Sequence, residues 1–173
     1  MRADAQRNYD RLVAVAAEVV GEQGADASLE EISRRAGVGS ATLHRHFGGR
    51  GALLEAVFQN RIDTVCAQAE ELQDHPEPLQ ALTIWLHSMV AHITSTRGLG
   101  PALVMSAERG SACHERILAA GRSLLTKAQV RDDIAIEDLL KLVNGISLAS
   151  DEDTAQADRL LDLAIRGIAP GHS

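Results

Sequence analysis

The chain has 173 residues, of which 45% are apolar, 24% charged and only 2% aromatic, and its formal net charge is −7. This length and composition allow one or two small domains with buried cores. Because the sequence lacks both a run of about 18 apolar residues and an N-terminal apolar leader segment, we expect neither a transmembrane helix nor a signal peptide. Cys66 and Cys113 stand far apart, outside any CxxC pair, so we expect no disulfide framework, no membrane partner and a cytoplasmic location.

The negative charge is unevenly distributed. Residues 1–50 carry seven basic and seven acidic side chains, so residues 51–173 account for the whole net charge of −7. Four arginines and two histidines lie between residues 34 and 50, and this segment contains no acid. A local basic cluster matters more for phosphate contact than the sum over the chain. The segment is therefore a candidate nucleic-acid surface, although a merely solvated helix face would have the same composition.

Helical periodicity dominates the sequence. Apolar residues recur at helical spacing, no segment alternates as a strand does, and the predicted fold class is all-α. A first helix with an apolar face from Tyr9 to Val20 is predicted to end at Gly24, which suits a left-handed C-terminal position. Ser28 and Glu31 match a reciprocal capping box, which predicts the start of a short second helix.

A tight turn separates this second helix from a third. The second helix is predicted to end at Gly37, and the third to cover about Ser40–Phe47 before Gly48-Gly49 interrupts the chain. We therefore predict a three-helix domain over residues 1–48 and a second helical domain over residues 49–173. Further helices are predicted over about residues 53–72, 79–96, 112–129, 136–150 and 154–168, with a short one through Leu103 and Val104.

The second and third helices have the features of a helix-turn-helix. Such a unit needs two short helices, a glycine-containing turn, and a second helix slim enough for a major groove about 12 Å wide. Leu43 and Phe47 are predicted to anchor the third helix to the core, which leaves its small and polar residues for DNA. Hydroxyls can reach phosphates or bases, and the free amides at a helix start can bind phosphate. The candidate DNA-binding residues are Ser28, Leu29, Gly39, Ser40, Ala41, Thr42, His44, Arg45, His46 and Arg50.

Residues 30–47, followed by Ala52-Leu53-Leu54-Glu55-Ala56-Val57, resemble the DNA-binding signature of the TetR (tetracycline repressor-type) family. The resemblance is specific over about residues 9–58, and the chain length and number of helices are similar beyond them. It implies about nine helices, three of them in the DNA-binding domain, and a homodimer formed by the last two. It also implies repression from a palindromic operator, relieved when a small-molecule effector binds the second domain.

Individual positions carry over from this resemblance. Residues 40–42 would lie near the bases, His46 falls on the family's phosphate-contacting histidine, and Arg50 replaces its usual lysine. Three departures affect the DNA-binding unit. His44 replaces a tyrosine that touches the DNA backbone, Gly39 replaces the usual capping serine, and Gly48-Gly49 adds freedom after the third helix.

The second domain gives weaker signals for an effector site. Several residues on the apolar stripes of the central helices could line a cavity, although plain core is the favoured interpretation for any single one of them. The low aromatic content favours an aliphatic or small amphipathic effector over one held by stacking. The candidate effector residues are Trp85, Leu86, Met89, His92, Leu103, Met105 and Leu125.

The last two helices have wide apolar faces and small residues that permit close approach, which predicts a dimer interface. The candidate interface residues are Leu139, Leu140, Val143, Ile146, Leu160, Leu161, Ala164 and Ile168. Residues 127–133, which precede these helices, are predicted to form a compact connection.

Other functions find less support in the sequence. No nucleophile elbow, phosphate-binding glycine loop, HExxH motif or paired carboxylates occur, so no enzymatic activity, catalytic residue or cofactor is predicted. The spacing of His87, His92, Cys113 and His114 does not converge on a metal, and His44 and His46 point to different sides of a helix. Thiol sensing by Cys66 or Cys113, or an interaction protein whose helix-turn-helix no longer binds DNA, remain as alternatives.

Overall fold

The computed structural model describes residues 2–24, 27–96, 107–150 and 153–168. Within these ranges every regular element is helical, which confirms the all-α fold class. A 3-10 turn at Leu72–Asp74 extends the fourth helix. The described helices are α1 (Arg2–Gln23), α2 (Leu29–Ala36), α3 (Ser40–Phe47), α4 (Arg50–Glu71), α5 (Pro78–Thr96), α6 (Ala107–Ala128), α7 (Ile136–Ala149) and α8 (Thr154–Ile168).

The chain folds as two compact units. The first contains Met1–Arg61 and Thr96–Gly110, and the second contains Ile62–Ser95 and Ser111–Ser173. This division falls within α4. The functional boundary between residues 48 and 49, at the start of α4, stays a prediction.

The first unit has its own apolar core. Leu12 of α1, Ile32 of α2 and Leu43 of α3 are each at most 1% exposed. The ring of Tyr9 stacks on Phe47, with centroids 4.9 Å apart and an interplanar angle of 28°. Burial of these side chains is the main force that holds three short helices together, because helices of eight residues are marginal in isolation.

The second unit is built around a single tryptophan. Trp85 of α5 is fully buried, and its indole Nε1 donates a hydrogen bond to the Val65 carbonyl of α4 at 3.1 Å. This bond satisfies the one polar atom of the side chain, so the ring is buried at little polar cost. Gly121 of α6 and Ile136 of α7 pack against the same ring region.

Two helix starts differ from their predicted positions. α5 begins at Pro78, one residue earlier than predicted, because a proline is well tolerated at the first helical position, where its missing N–H costs nothing. α6 begins at Ala107 and not near Ala112. Apolar periodicity is absent from residues 107–111, but alanine, glutamate and arginine favour helix in spite of Gly110. The predicted short helix through Leu103 and Val104 lies outside the described residues.

Polar contacts fix the last helix to the second unit. The ring of His87 in α5 contacts Asp158 through Nδ1 at 2.7 Å and Asp162 through Nε2 at 3.0 Å, and both carboxylates belong to α8. Between α6 and α7, residues 129–135 form a short connection in which Arg131 pairs with Asp133. No helix in the described ranges combines the length and the apolarity that crossing a bilayer requires.

Candidate nucleic-acid interface

The start of α2 is defined by Ser28, whose hydroxyl accepts a hydrogen bond from the Glu31 amide at 3.4 Å. The second half of the predicted reciprocal capping box does not form. The Glu31 carboxylate instead accepts hydrogen bonds from Arg34 at 2.7 and 2.9 Å and from Arg35 at 2.7 Å. A bidentate pair with an arginine is stronger than a neutral bond to a backbone amide, and this explains the exchange of partners.

The turn between α2 and α3 depends on Gly37. Its backbone has φ 63° and ψ 30°, the left-handed conformation that glycine adopts without steric cost. The Gly37 amide bonds the Arg34 carbonyl at 3.2 Å, and the Val38 amide bonds the Ser33 carbonyl at 3.0 Å. This is the Schellman arrangement, which satisfies the last carbonyls of α2 and reverses the chain toward α3.

α3 divides cleanly into a buried and an exposed face. Leu43 and Phe47, four residues apart, are buried and confirm the predicted anchor. Ala41 and Arg45 lie on the opposite side and are exposed. Gly39 and the polar Ser40 and His44 are also exposed, whereas Thr42 is half-buried beside them. The outward face therefore presents small, hydroxyl-bearing and cationic side chains at the width that a groove-binding helix needs.

In the folded protein, acidic side chains pair with part of the basic segment over residues 34–50. Arg34 and Arg35 are occupied by Glu31, and Arg35 Nη1 also bonds Glu22 of α1 at 2.9 Å. Hydrogen bonds from the two guanidinium groups lower the pKa of Glu31 to about 2, and Arg35 also lowers the pKa of Glu22. Two of the four arginines counted in residues 34–50 are thus neutralised by acids that precede the segment, and the cationic surface shifts toward α3 and the start of α4.

The remaining candidate phosphate contacts surround α3. Arg50, the first residue of α4, is exposed, and Ser28 and Leu29 at the start of α2 are half-buried. The His46 ring lies edge-on to Tyr9, with centroids 6.2 Å apart at 65°, so α1 supports it from one side. Gly48 ends α3 with φ 68°, and its amide bonds the His44 carbonyl at 2.8 Å.

α3 is anchored by its buried face and presents small and basic residues on its exposed face, and a tight glycine turn joins it to α2. These features define a helix-turn-helix DNA-binding regulator with a second helical domain. Residues 12–57 match the family model described as bacterial regulatory proteins, tetR family. Residues 77–170 match the model for the C-terminal domain of SbtR-like transcriptional regulators. The chain belongs to the TetR family of transcriptional regulators, a family of regulators and not of enzymes.

Solved structures agree over nearly the whole chain. A TetR transcriptional regulator from Streptomyces coelicolor is 35% identical with a TM-score of 0.81, covering 94% of this chain and 98% of its own. A TetR regulatory protein from Mycobacterium vanbaalenii is 29% identical with a TM-score of 0.80, covering 98% and 99%. An HTH-type transcriptional regulator of Staphylococcus aureus (strain bovine RF122 / ET3-1) is 32% identical over 75 residues, which are 43% of this chain and 40% of the relative. The match thus spans about two fifths of the length of that curated relative.

The second unit contains a half-open cavity of about 380 Å³. Of the candidate effector residues, Met89 lines it, whereas Trp85 and Leu86 are fully buried in the core. His92 and Leu125 are half-buried outside the lining, and Leu103 and Met105 lie outside the described residues. The sequence analysis missed most of the wall, although spacings of three and four residues on α6 and α7 carry its signal. The described lining residues are Met89, Ile93, His114, Ile117, Leu118, Glu137, Leu140, Lys141 and Asn144.

The candidate dimer residues separate into three groups. Leu139, Val143, Ile146 and Leu161 are buried in the core of the second unit. Leu140 lines the cavity, and Ile168 is half-buried against the core. Leu160 and Ala164 face outward and border a surface groove of about 550 Å³ between α7 and α8. Leu142 and Leu148 are exposed apolar residues that the sequence analysis missed. Leu163, from the wide apolar faces of these helices, and the small residues Gly145 and Ala149 are exposed as well, as the predicted interface requires.

Metal and thiol chemistry gain no support from the described residues. No group of three or more histidines, cysteines or acids within the described ranges could hold a metal ion. Burial raises the pKa of the Cys66 thiol, which disfavours the reactive thiolate. The nearby Arg116 guanidinium is paired with Asp63 at 2.6 Å.

Proposed function

We propose that this protein is a transcriptional repressor of the bacterial cytoplasm that binds a palindromic operator as a homodimer and is released by a small-molecule effector. The observation that carries this proposal is the exposed face of α3, held in place by the buried Leu43 and Phe47. Such a helix is supported rigidly on one side and free on the other, as insertion into a major groove requires.

DNA recognition would divide between bases and phosphates. Residues 40–42 begin α3 and would meet base edges, with the Ala41 methyl against a thymine methyl and the Thr42 hydroxyl free to bond either a base or a phosphate. Arg45 and Arg50 are exposed cations suited to phosphate, and His44 and His46 would add contacts on either side. The amides near Ser28 and Leu29 supply a further phosphate site at a helix N-terminus.

The dimer would form through the outward face of α7 and α8. Leu148 is 70% exposed and Leu163 is 63% exposed, which is a large exposure for a leucine side chain. Adjacent apolar exposure on two neighbouring helices marks an interaction surface. A second copy is the occupant that the family resemblance implies, and a two-fold axis would place two α3 helices on half-sites about one helical turn, or a multiple of it, apart.

Effector release would couple the cavity of the second unit to DNA affinity. Coupling free energies between such sites are typically about 1–3 kcal/mol, which changes operator affinity by about 5- to 150-fold. The cavity volume of about 380 Å³ is in the range of small-molecule sites. α7 contributes both to the wall of this cavity and to the proposed dimer face, so a ligand there could alter the spacing of the half-sites.

The test is selection of bound duplexes from a random pool, followed by affinity measurements on the enriched sequence. We expect enrichment of a palindrome, weaker binding by Thr42→Ala and Arg45→Ala, and a steep decrease in affinity with salt. Arg131→Ala is the matched control, since it removes an exposed arginine from the second unit that pairs locally with Asp133. Absence of any enriched sequence, or equal affinity in all three variants, would refute DNA recognition through α3.

A further inference from the structure

We propose that the cavity of the second unit binds an aliphatic anion, a carboxylate with a flexible hydrocarbon tail, and that Lys141 supplies the counter-charge. This inference rests on the proposed function, because it assigns a ligand class to the effector site. Shape, lining chemistry and charge at the mouth each contribute to it.

The inner wall of the cavity is apolar and favours a hydrocarbon tail on the ligand. Met89 and Ile93 of α5, Ile117 and Leu118 of α6 and Leu140 of α7 line the cavity, and all five are aliphatic or thioether side chains. No phenylalanine, tyrosine or tryptophan is among the described lining residues, and the one ring, that of His114, is an exposed polar group. Methionine and branched aliphatic side chains adapt to a flexible chain, and apolar burial supplies the affinity.

The mouth of the cavity carries the polar residues that would contact the ligand's head group. Its polar residues are His114 on α6 and Glu137, Lys141 and Asn144 on α7. The Glu137 carboxylate forms an ion pair with Arg122. A backbone hydrogen bond, the bond from Arg122 and the charge of Lys141 together lower the pKa of Glu137. Its charge is therefore fixed as negative and matched by a guanidinium before a ligand arrives.

Lys141 leaves the mouth with an excess of positive charge. It lies one turn after Glu137 on α7 and is exposed, and its charge contributes to the lowered pKa of Glu137. Lys141 also borders the groove between α7 and α8. Two cations, Arg122 and Lys141, thus face one carboxylate, and an anionic head group restores the balance. Asn144 follows Lys141 by three residues on the same side of α7, so its amide can donate to a second carboxylate oxygen. A cationic head group would meet uncompensated repulsion here.

The experiment compares three probes with the same ten-carbon tail, namely decanoate, decan-1-ol and decyltrimethylammonium, on the purified full chain without DNA. Trp85 is the single tryptophan and lies in the same unit, so its fluorescence can follow binding, with calorimetry as the second measurement. We expect decanoate to bind about fivefold more tightly than the alcohol, and the ammonium compound to bind more weakly than either, because an ion pair with an exposed lysine is worth about that factor.

Substitutions test whether Lys141 is the counter-charge that binds the carboxylate. Lys141→Met is expected to weaken decanoate binding about fivefold while leaving decan-1-ol binding unchanged, and Lys141→Arg is expected to retain decanoate binding. Lys127→Met is the matched control, because Lys127 is the other lysine of the chain and its ammonium bonds the Gln73 carbonyl, away from the cavity. Equal affinity for all three probes, or decanoate affinity unchanged in Lys141→Met, would overturn the assignment. Binding without any effect on operator affinity would instead refute effector release and leave the ligand class standing.

Discussion

Gly121 of α6 lies so close to Trp85 of α5 that a Cβ atom at position 121 would stand 2.8 Å from Cη2 of the indole. The same Cβ would stand 2.6 and 2.7 Å from two side-chain carbons of Ile136 on α7. Three helices of the second unit therefore meet at a point where only a residue without a side chain fits.

Gly121→Ala should destabilise the protein by about 1–3 kcal/mol, because the buried indole cannot move aside and the added methyl overpacks the core. Urea unfolding followed by circular dichroism measures the change. The matched control is Gly21→Ala in α1, where an added Cβ has no neighbour within 4 Å and alanine favours helix. The prediction fails if both variants are at least as stable as the parent.

Glu31 should make stability depend on pH in the acid range. Its pKa in the folded protein is about 2, against an ordinary value of 4.5, because Arg34 and Arg35 donate to it. A lowered pKa means that the ionised group stabilises the fold above the ordinary value, and that this contribution is lost as pH falls from about 4.5 to about 2.

The difference in Tm between the parent and Glu31→Gln should therefore be largest near neutral pH and shrink across that window. Thermal unfolding at a series of pH values provides the measurement, with the neighbouring Glu30→Gln as a control for loss of one charge. A Tm difference that stays constant from neutral pH to pH 2 would show that the Glu31 ion pairs do not contribute to folding.

Ser33 of α2 is buried, and within the described residues its hydroxyl has no hydrogen-bond partner. Burying an unsatisfied hydroxyl costs about 1–3 kcal/mol, and alanine is also the better helix former. Ser33→Ala should thus stabilise the protein by about 0.5–1 kcal/mol in urea unfolding. Ser40→Ala, at an exposed position in α3, should leave stability nearly unchanged, and equal effects of the two substitutions would contradict the argument from burial.

Leu163 provides a direct test of the proposed dimer face. Its side chain on α8 is 63% exposed, so a lysine there can remain hydrated in the monomer but would be desolvated between two copies. Sedimentation should show the parent as a dimer and Leu163→Lys as a folded monomer, and the variant should lose affinity for a palindromic operator. Ala67→Lys, which adds the same charge at an exposed position of α4, should remain dimeric. A dimeric Leu163→Lys would place the interface elsewhere.

Local sequence determined the secondary structure and the outline of the DNA-binding unit. Ser28 starts α2, Gly37 ends it in the left-handed conformation, and Leu43 and Phe47 bury one face of α3, as the spacing predicts. These features involve residues within one or two helical turns of each other. A capping hydroxyl, a left-handed glycine and a 3.6-residue period have the same consequence in any fold, and for this reason they can be predicted from the sequence.

Tertiary structure decided which charges and which apolar stripes are left free. Arg34 and Arg35 are paired with Glu31, and Arg35 also with Glu22 of α1, so two of the four arginines in the basic segment are neutralised by acids outside it. On α7, Val143 is buried in the core, Leu140 lines the cavity and Leu142 is exposed, although all three belong to one apolar helix. Periodicity identifies a face of a helix but does not say what covers it, because burial depends on helices that are distant in sequence and packed in three dimensions.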